Sequence, residues 1–383
     1  MGPDSPLIER ILRRGSPLLA RVADRAGEHR LQILLSVERA GGRLETHGFR
    51  VDSEYFYPAS TVKLIAALAA LQMLGRLSAE HGVAIGPETP MVIHPTFADQ
   101  LIEDRDPSNL DGGAITVGHE IRKLALVSDN AAHNRLLSLV GHRELHEMAW
   151  GEGPMGLGLK SARLIHRLSE PRTVEENRKT PRVDLAVGGQ LITVPARDSG
   201  LLLDNYGMEG LDVGTAHVVG EQLVAGPMSM RQKNRVSLAD LHRLIVLTAR
   251  RGEVDGGTAF ELSKAAWDLL QEAMTIYPST SRNPVYTARE HPDHYVKFLL
   301  PGLRRLGLPS DPLILNKIGQ AYGFTTENAF VEGPGRRPSF YLTATLYANE
   351  SGVLNADSYD DKTVAEPFMA DLGEAIGRTL WEG

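Results

Sequence analysis

The sequence predicts a mixed α/β (α+β) fold. One antiparallel sheet is assembled from strands at both ends of the chain and flanked by helices, with a mostly helical lobe inserted between them. Three observations carry this. β-Rich runs lie near both ends, LQILLSVERA (31–40) and RLETHGFRVD (43–52) at one, PLILNKIG, NAFVEG and SFYLTATLYA at the other. Helical periodicity dominates the middle. The 383 residues, 42% hydrophobic and 23% charged, have an ordinary globular balance and enough length for a large buried core.

In chain order, residues 5–26 alternate apolar and basic residues at helical spacing, which predicts an amphipathic helix broken near Gly15 and Pro17. The two β-rich runs that follow are joined across Gly41-Gly42 and predict a hairpin. A long helix is expected from about Thr61 to Leu74. Residues 114–140 read as helical again, with Thr116 as an N-cap. From Arg167 to Val236 the chain is rich in Gly, Pro, Arg and Asp, and long loops with short strands are expected. Helices resume at 237–250 and 259–275. After the three C-terminal β-rich runs, residues 363–381 predict a last amphipathic helix. No internal repeat or low-complexity tract is present.

Composition removes several functions. With 41 Lys+Arg against 48 Asp+Glu, the net charge of −7 gives no basic surface for nucleic acid or an anionic membrane. There is no cysteine, hence no disulfide, cysteine nucleophile or thiolate metal site. The longest apolar run, Val62 to Leu74, is shorter than the ~20 residues a membrane helix needs and contains Lys63 and Gln72, so no membrane span is expected. Met1 to Arg14 has charges but no apolar core of a secretory signal.

Ser60-Thr61-Val62-Lys63, the only Ser-x-x-Lys in the chain, opens an apolar helix. In a helix, Lys63 lies about one turn from Ser60. A serine hydroxyl is a poor nucleophile until something takes its proton, and an amine walled in by Val62, Leu64, Ile65, Ala66 and Ala67 can do so, because low-dielectric surroundings depress its pKa. The helix N-terminus offers N–H groups to a developing oxyanion. Ser128-Asp129-Asn130 directly follows the apolar run Leu124 to Val127, a place where small polar residues need partners. Lys317-Ile318-Gly319 ends the run Leu313 to Leu315, and glycine there lets backbone approach a ligand closely. Each motif alone reads equally well as a helix start, a turn and a strand end.

Together and in this order they resemble the three signatures of the penicillin-recognising serine hydrolases, the class A β-lactamases and their penicillin-binding relatives. The flanking residues agree: Pro58-Ala59 before Ser60, and Ala114 to Val117 leading into a helix and then Ser128 to Leu137. The resemblance covers roughly residues 29–170 and 237–383. It implies a serine β-lactamase-like fold, with residues 1–60 and 305–383 in a sheet lobe and 61–304 in a helical lobe. Relative to compact class A enzymes, insertions fall around 180–235 and 276–311.

The resemblance also implies roles. Ser60 would be the nucleophile that forms an acyl-enzyme and Lys63 would share in its activation. Ser128 would relay a proton to the leaving nitrogen, and Asn130 would hydrogen-bond the substrate's side-chain amide. Asp129 would order the loop. Lys317 would hold the electrostatics of the cleft and the substrate carboxylate. The N–H groups of Ser60 and Gln320, the latter just after Gly319, would form the oxyanion hole. The implied activity is hydrolysis of a β-lactam amide without a cofactor; a D-alanyl-D-alanine carboxypeptidase, an esterase and a non-catalytic binder of cell-wall peptides remain open. The implied partner is a small-molecule or peptide acyl substrate, and the implied location is periplasmic or secreted, with a cytoplasmic one also open.

Two features depart from the pattern. Class A enzymes deacylate with a glutamate on a loop after the second motif. Here Arg163-Leu164 and Arg167-Leu168-Ser169-Glu170-Pro171 resemble that loop with about two extra residues, making Glu170 the expected base, with Glu175 and Glu176 behind it; Val174 stands where the usual asparagine would help hold water. Ile318 stands where the family has a hydroxyl, and its methyls cannot hydrogen-bond a carboxylate. Two other patterns are set aside. Gly151 to Gly156 spells a dinucleotide fingerprint but follows a helix and contains Pro154. His142 and His146 lack the acid placement of a zinc peptidase and read as a solvated helix face.

Overall fold

The computed structural model describes residues 4–254, 257–258, 260–356 and 358–382. Its contacts divide the chain into two compact units. One holds the residues up to Thr61, Asp204–Val246 and those from Lys297 on; the other holds Val62–Leu203 and Leu247–Val296. Residues 204–246, placed in the helical lobe by the sequence reading, thus group with the sheet.

The sheet unit is built as its periodicity predicts. Strands Gln32–Glu38 and Leu44–Phe49 form the hairpin, joined through the turn Ala40–Gly42, where Gly41 and Gly42 both take φ +77. The sheet runs in the order 314–316, 324–331, 340–347, 32–38, 44–49, every neighbouring pair antiparallel, with Gly319–Ala321 also pairing onto 324–331. The central strands Phe324–Val331 and Phe340–Tyr347 are buried almost throughout, which explains their near-continuous apolar character. The N-terminal helix breaks into Pro6–Gly15 and Pro17–Asp24, with Ser16 capping the second through Leu19 N. Both helices pack with the last helix, Glu366–Trp381. Over part of the sheet lies residues 238–246 of helix Leu238–Ala249: His242 is hydrogen-bonded between Ser36 Oγ (2.7 Å) and Thr343 Oγ1 (3.0 Å), and Asn328 donates to Leu241 O (3.0 Å).

The helical unit is organised around Lys63–His81, whose Leu64, Ile65, Ala66, Ala67 and Leu68 are at most 1% exposed. It packs on Asn130–Val140, Val117–Leu126 and His142–Trp150. The helix runs seven residues beyond the expected end at Leu74 and stops at the left-handed Gly82. Including its leading turn, Ala59–His81 is long and apolar enough to cross a bilayer, so the run is not too short as the sequence reading held; 72% of its most apolar window is buried inside the protein, the mark of a core helix. Thr116 caps the next helix through His119 N (3.0 Å), as expected. The segment 114–140 is not one helix, because Ser128 at φ +58 breaks it. Asp129 then caps the second helix through Ala132 N (2.7 Å).

The long loop region holds short strands, including the hairpin Val183–Val187 and Gln190–Val194 in the helical unit and Ala216–Val219 with Gln222–Ala225 in the sheet unit. The expected helix 259–275 begins only at Lys264, capped by Ser263; Ala259 lies outside the described residues. His142 and His146 are not solvated but 3% and 0% exposed. His146 meets the carbonyl of His142 (2.6 Å) and accepts from Leu164 N (3.0 Å), and these core hydrogen bonds are why imidazole can be buried there.

Candidate active site

Ser60 lies in a tight turn, Ala59–Val62, at the edge of the sheet unit, half-buried. Thr61 closes the turn through its N–H and its Oγ1, both donating to Pro58 O (3.1 and 2.7 Å). Ala59 takes φ +47, a left-handed conformation that is uncommon for a residue with a Cβ. The third motif passes directly beside this turn. A Cβ on Gly319 would sit 2.4 Å from Pro58 O and 3.0 Å from Ser60 N, so only glycine permits this approach. Gln320 follows in the strand Gly319–Ala321, its side chain donating to Thr325 Oγ1 (3.2 Å). Lys317 is 1% exposed; its Nζ donates to Ile318 O (3.0 Å) and its N–H to Asn328 O (2.9 Å). Ile318, between the strands 314–316 and 319–321, is itself buried and brings no hydroxyl.

The chain leaves Ser60 for Lys63, the first residue of the long helix and wholly buried. Its Nζ donates to Asn130 Oδ1 (2.6 Å), to Ser128 Oγ (3.2 Å) and to the carbonyl of Ser128. Burial lowers its pKa to about 7, against a smaller opposing pull from the Asp129 carboxylate. An amine in this range exists in both forms at neutral pH, as a proton shuttle requires. The first two motifs therefore converge on one hydrogen-bonded cluster.

The loop after the second motif joins that cluster. Asn130 Nδ2 donates to Ser169 Oγ (2.6 Å), and Ser169 holds φ +52 just before Glu170. Glu170 is half-buried and heavily engaged: Gln100 Nε2 (2.9 Å) and Arg172 Nε (3.1 Å) reach Oε1, Asn134 Nδ2 reaches Oε2 (3.4 Å), and Arg167 Nε stands 3.8 Å away. Asn134 also grips the backbone of Leu168 from both sides, accepting its N–H (3.1 Å) and donating to its carbonyl (3.0 Å). Asn177 pins the far side of the loop by accepting from Arg167 N (2.9 Å). The two reserve carboxylates have other surroundings. Glu176 completes a capping box with Thr173, and Glu175 is exposed; Val174 starts this one-turn helix.

Of the residues singled out from sequence, Lys63, Ser128, Asn130 and Glu170 are thus linked within the helical unit, while Ser60, Lys317, Gly319 and Gln320 lie in the sheet unit. Ser60 and Lys63 are tied by the chain between them. Sequence reasoning missed Ser169, Gln100, Arg172 and Asn134. Asn134 had a signal, since it sits one helical turn after Asn130 on the same face. The others are brought in by loops with no local pattern.

Residues 44–204 match the model of a β-lactamase enzyme family. No curated protein matches the sequence. Among solved structures, a β-lactamase from Sphaerobacter thermophilus is similar at 14% identity and a TM-score of 0.51, over 96% of this chain and 97% of that one. A point mutant of PBP-A, solved as its acyl-enzyme with penicillin G, is similar at 12% identity and a TM-score of 0.50, over 99% and 98%. At such identities these are likenesses of fold, and they run the length of the chain. The chain therefore has the fold of the serine β-lactamases and of PBP-A, and residues 44–204 match a β-lactamase enzyme family, in line with the resemblance of its three motifs.

Proposed function

We propose that this protein is an acyl-transfer hydrolase of the class A β-lactamase type, acting on β-lactam amides through an acyl-enzyme on Ser60. What carries this reading is Lys63: a buried amine, three residues after Ser60, hydrogen-bonded to Ser128 Oγ and Asn130 Oδ1. A non-catalytic binding protein has no need to bury an amine at that cost.

In the proposed reaction, neutral Lys63 takes the proton of Ser60 as its Oγ bonds to the carbonyl carbon. The N–H groups of Ser60 and Gln320 receive the oxyanion, and Lys317 supplies positive charge to the substrate. As the C–N bond breaks, the proton passes from Lys63 through Ser128 Oγ to the leaving nitrogen. Asn130 orients the substrate. Glu170 then takes a proton from water as its oxygen bonds to the acyl carbon; the bond from that carbon to Ser60 Oγ breaks, and Glu170 returns its proton to Oγ, freeing Ser60 and the acid.

The penicillin-binding peptidase is the second reading, favoured by one observation. The Glu170 carboxylate is already held by Gln100, Asn134 and Arg172, which leaves it few lone-pair sites for a water.

Time-resolved intact-mass spectrometry with benzylpenicillin, beside Ser60→Ala and Glu170→Gln, tests both. A short-lived adduct with hydrolysed drug accumulating is expected, absent in Ser60→Ala and long-lived in Glu170→Gln. A wild-type adduct that persists selects the peptidase reading. Labelling of Ser60→Ala equal to wild type would overturn the enzyme reading.

A further inference from the structure

The second motif is backed by a buried charge cluster that the proposed reaction does not use. Lys123, on helix Val117–Leu126, is 8% exposed. Its Nζ donates to Asp106 Oδ2 (2.6 Å) and lies 3.7 Å from Asp129 Oδ2 and 3.8 Å from Glu120 Oε2. Its carbonyl accepts from Val127 N (3.1 Å) and Asp129 N (3.4 Å). One residue therefore holds the Ser128–Asn130 turn twice, by backbone and by charge. Asp129 divides its own work to match, Oδ1 capping the next helix and Oδ2 facing Lys123.

The geometry points to Lys123 as a positioning residue: by neutralising Asp129 behind the turn, it keeps Lys63 uncharged and able to take the proton of Ser60. This rests on Lys63 being the base in the reaction proposed above. Asp129 favours the ammonium form of Lys63, opposing the burial that favours the amine. The nearer Lys123 stands to Asp129, the weaker that opposition becomes.

Other charges around the cluster do not replace it. Arg135 is committed to Asp106 (2.9 Å), Glu120 (3.2 Å) and Glu103 (2.7 Å). Arg122 pairs with Glu88 (2.6 Å). His119, beside Ser108 Oγ (2.9 Å), is buried and its pKa is lowered to about 4, so it stays neutral. Burial, with smaller pushes from Asp129, Asp106 and Glu120, raises the Tyr286 pKa well above its usual value, so it is neutral too. On helix Lys264–Thr275, which packs against the Lys123 helix, Lys264 and Asp268 pair together (2.6 Å), Asp268 also pairs with Arg251 (2.8 Å), and Glu272 is exposed.

The test compares Lys123→Met and Lys123→Arg with wild type. Lys63 is titrated by NMR on protein labelled at the lysine ε-carbons, assigned with Lys63→Arg, and Ser60 acylation by benzylpenicillin is followed across pH. In Lys123→Met the Lys63 titration is expected about one pH unit higher. Acylation at pH 6.5 should be roughly tenfold slower and return close to wild type at pH 9, with Lys123→Arg restoring both. If Lys63 titrates where it does in wild type and acylation falls equally at every pH, Lys123 is structural and the inference is overturned. Should Lys123→Met fail to fold, Asp129→Asn, which keeps the cap, carries the test. Lys63 should then titrate lower, and an unmoved titration overturns the inference. The titration is read without turnover, so a wild-type Ser60 that takes no acyl group counts against the proposed reaction and leaves the electrostatic result standing.

Discussion

Among single residues, strain and burial mark the motifs more sharply than composition does. Of the nine non-glycine residues with positive φ among the described residues, Ala59, Ser128, Ser169 and Tyr322 lie in a motif, near one, or next to Glu170, and the other five lie elsewhere in the chain. Such backbone costs on the order of 1–3 kcal/mol per residue and persists only where the surroundings enforce it. Ile318 stands where the motif that this chain resembles carries a hydroxyl. A hydroxyl there would add one hydrogen bond to a substrate carboxylate, which is worth about 1–3 kcal/mol when the acceptor is charged. Ile318→Thr is therefore expected to raise the second-order rate of acylation by benzylpenicillin roughly ten- to hundredfold. Stopped-flow measurement of adduct formation checks it, and an unchanged rate would show that the carboxylate is bound elsewhere.

Secondary-structure elements act here by how closely they approach one another. Strand Gly319–Ala321 runs against the Pro58–Ser60 turn at a distance that only a residue without Cβ allows. Gly319→Ala must push Pro58 O and Ser60 N outward, and a displacement of about 1 Å can cost about a hundredfold in rate. Acylation should fall by about that factor while the urea midpoint moves little, because the strain can be relieved at the edge of the turn. The long helix behaves in the opposite way. Leu68 is 0% exposed within it, so Leu68→Ala should cost roughly 2–5 kcal/mol of stability in a denaturant titration.

Across the whole molecule, buried histidines and buried carboxyls pull the response to acid in opposite directions. His119 and His142 are lowered to about 4, and His146 and His242 to about 3, chiefly by burial. Their folded pKa values lie below the unfolded value near 6.5, so between these limits the unfolded chain binds more protons. The stability they contribute is present above about pH 6.5 and lost as pH falls through the folded values. Each contributes a slope of up to about 1.4 kcal/mol per pH unit in that window. Glu120 and Glu327, raised to about 7, and Asp361, raised to about 6, all chiefly by burial, bind protons in the folded state over the same window and oppose this. The urea midpoint should therefore drop only modestly from pH 6.5 to 4.5, and a rise would mean that the histidine rings are protonated in the folded state.

The sequence by itself determined the elements and the three motifs. Hairpin, capped helices and C-terminal strands follow from periodicity and from residues such as Gly41-Gly42 and Thr116, whose effects are local. Ser60, Lys63, Ser128, Asn130 and Lys317 were legible because they sit at fixed positions on those elements. Glu170 was found by its place after the second motif, but Gln100, Arg172 and Asn134 around its carboxylate were not, since Gln100 is 70 residues distant and only Asn134, one turn after Asn130, carried a signal. The burial of His142 and His146 also escaped the reading. Each depends on which polar group meets which across the core, and a one-dimensional pattern of hydropathy cannot express that. The tertiary structure alone decided how Lys63 is buried, what Asp129 faces and why 319 must be glycine, because desolvation, Coulomb attraction and steric contact depend on distance in space and not on separation along the chain.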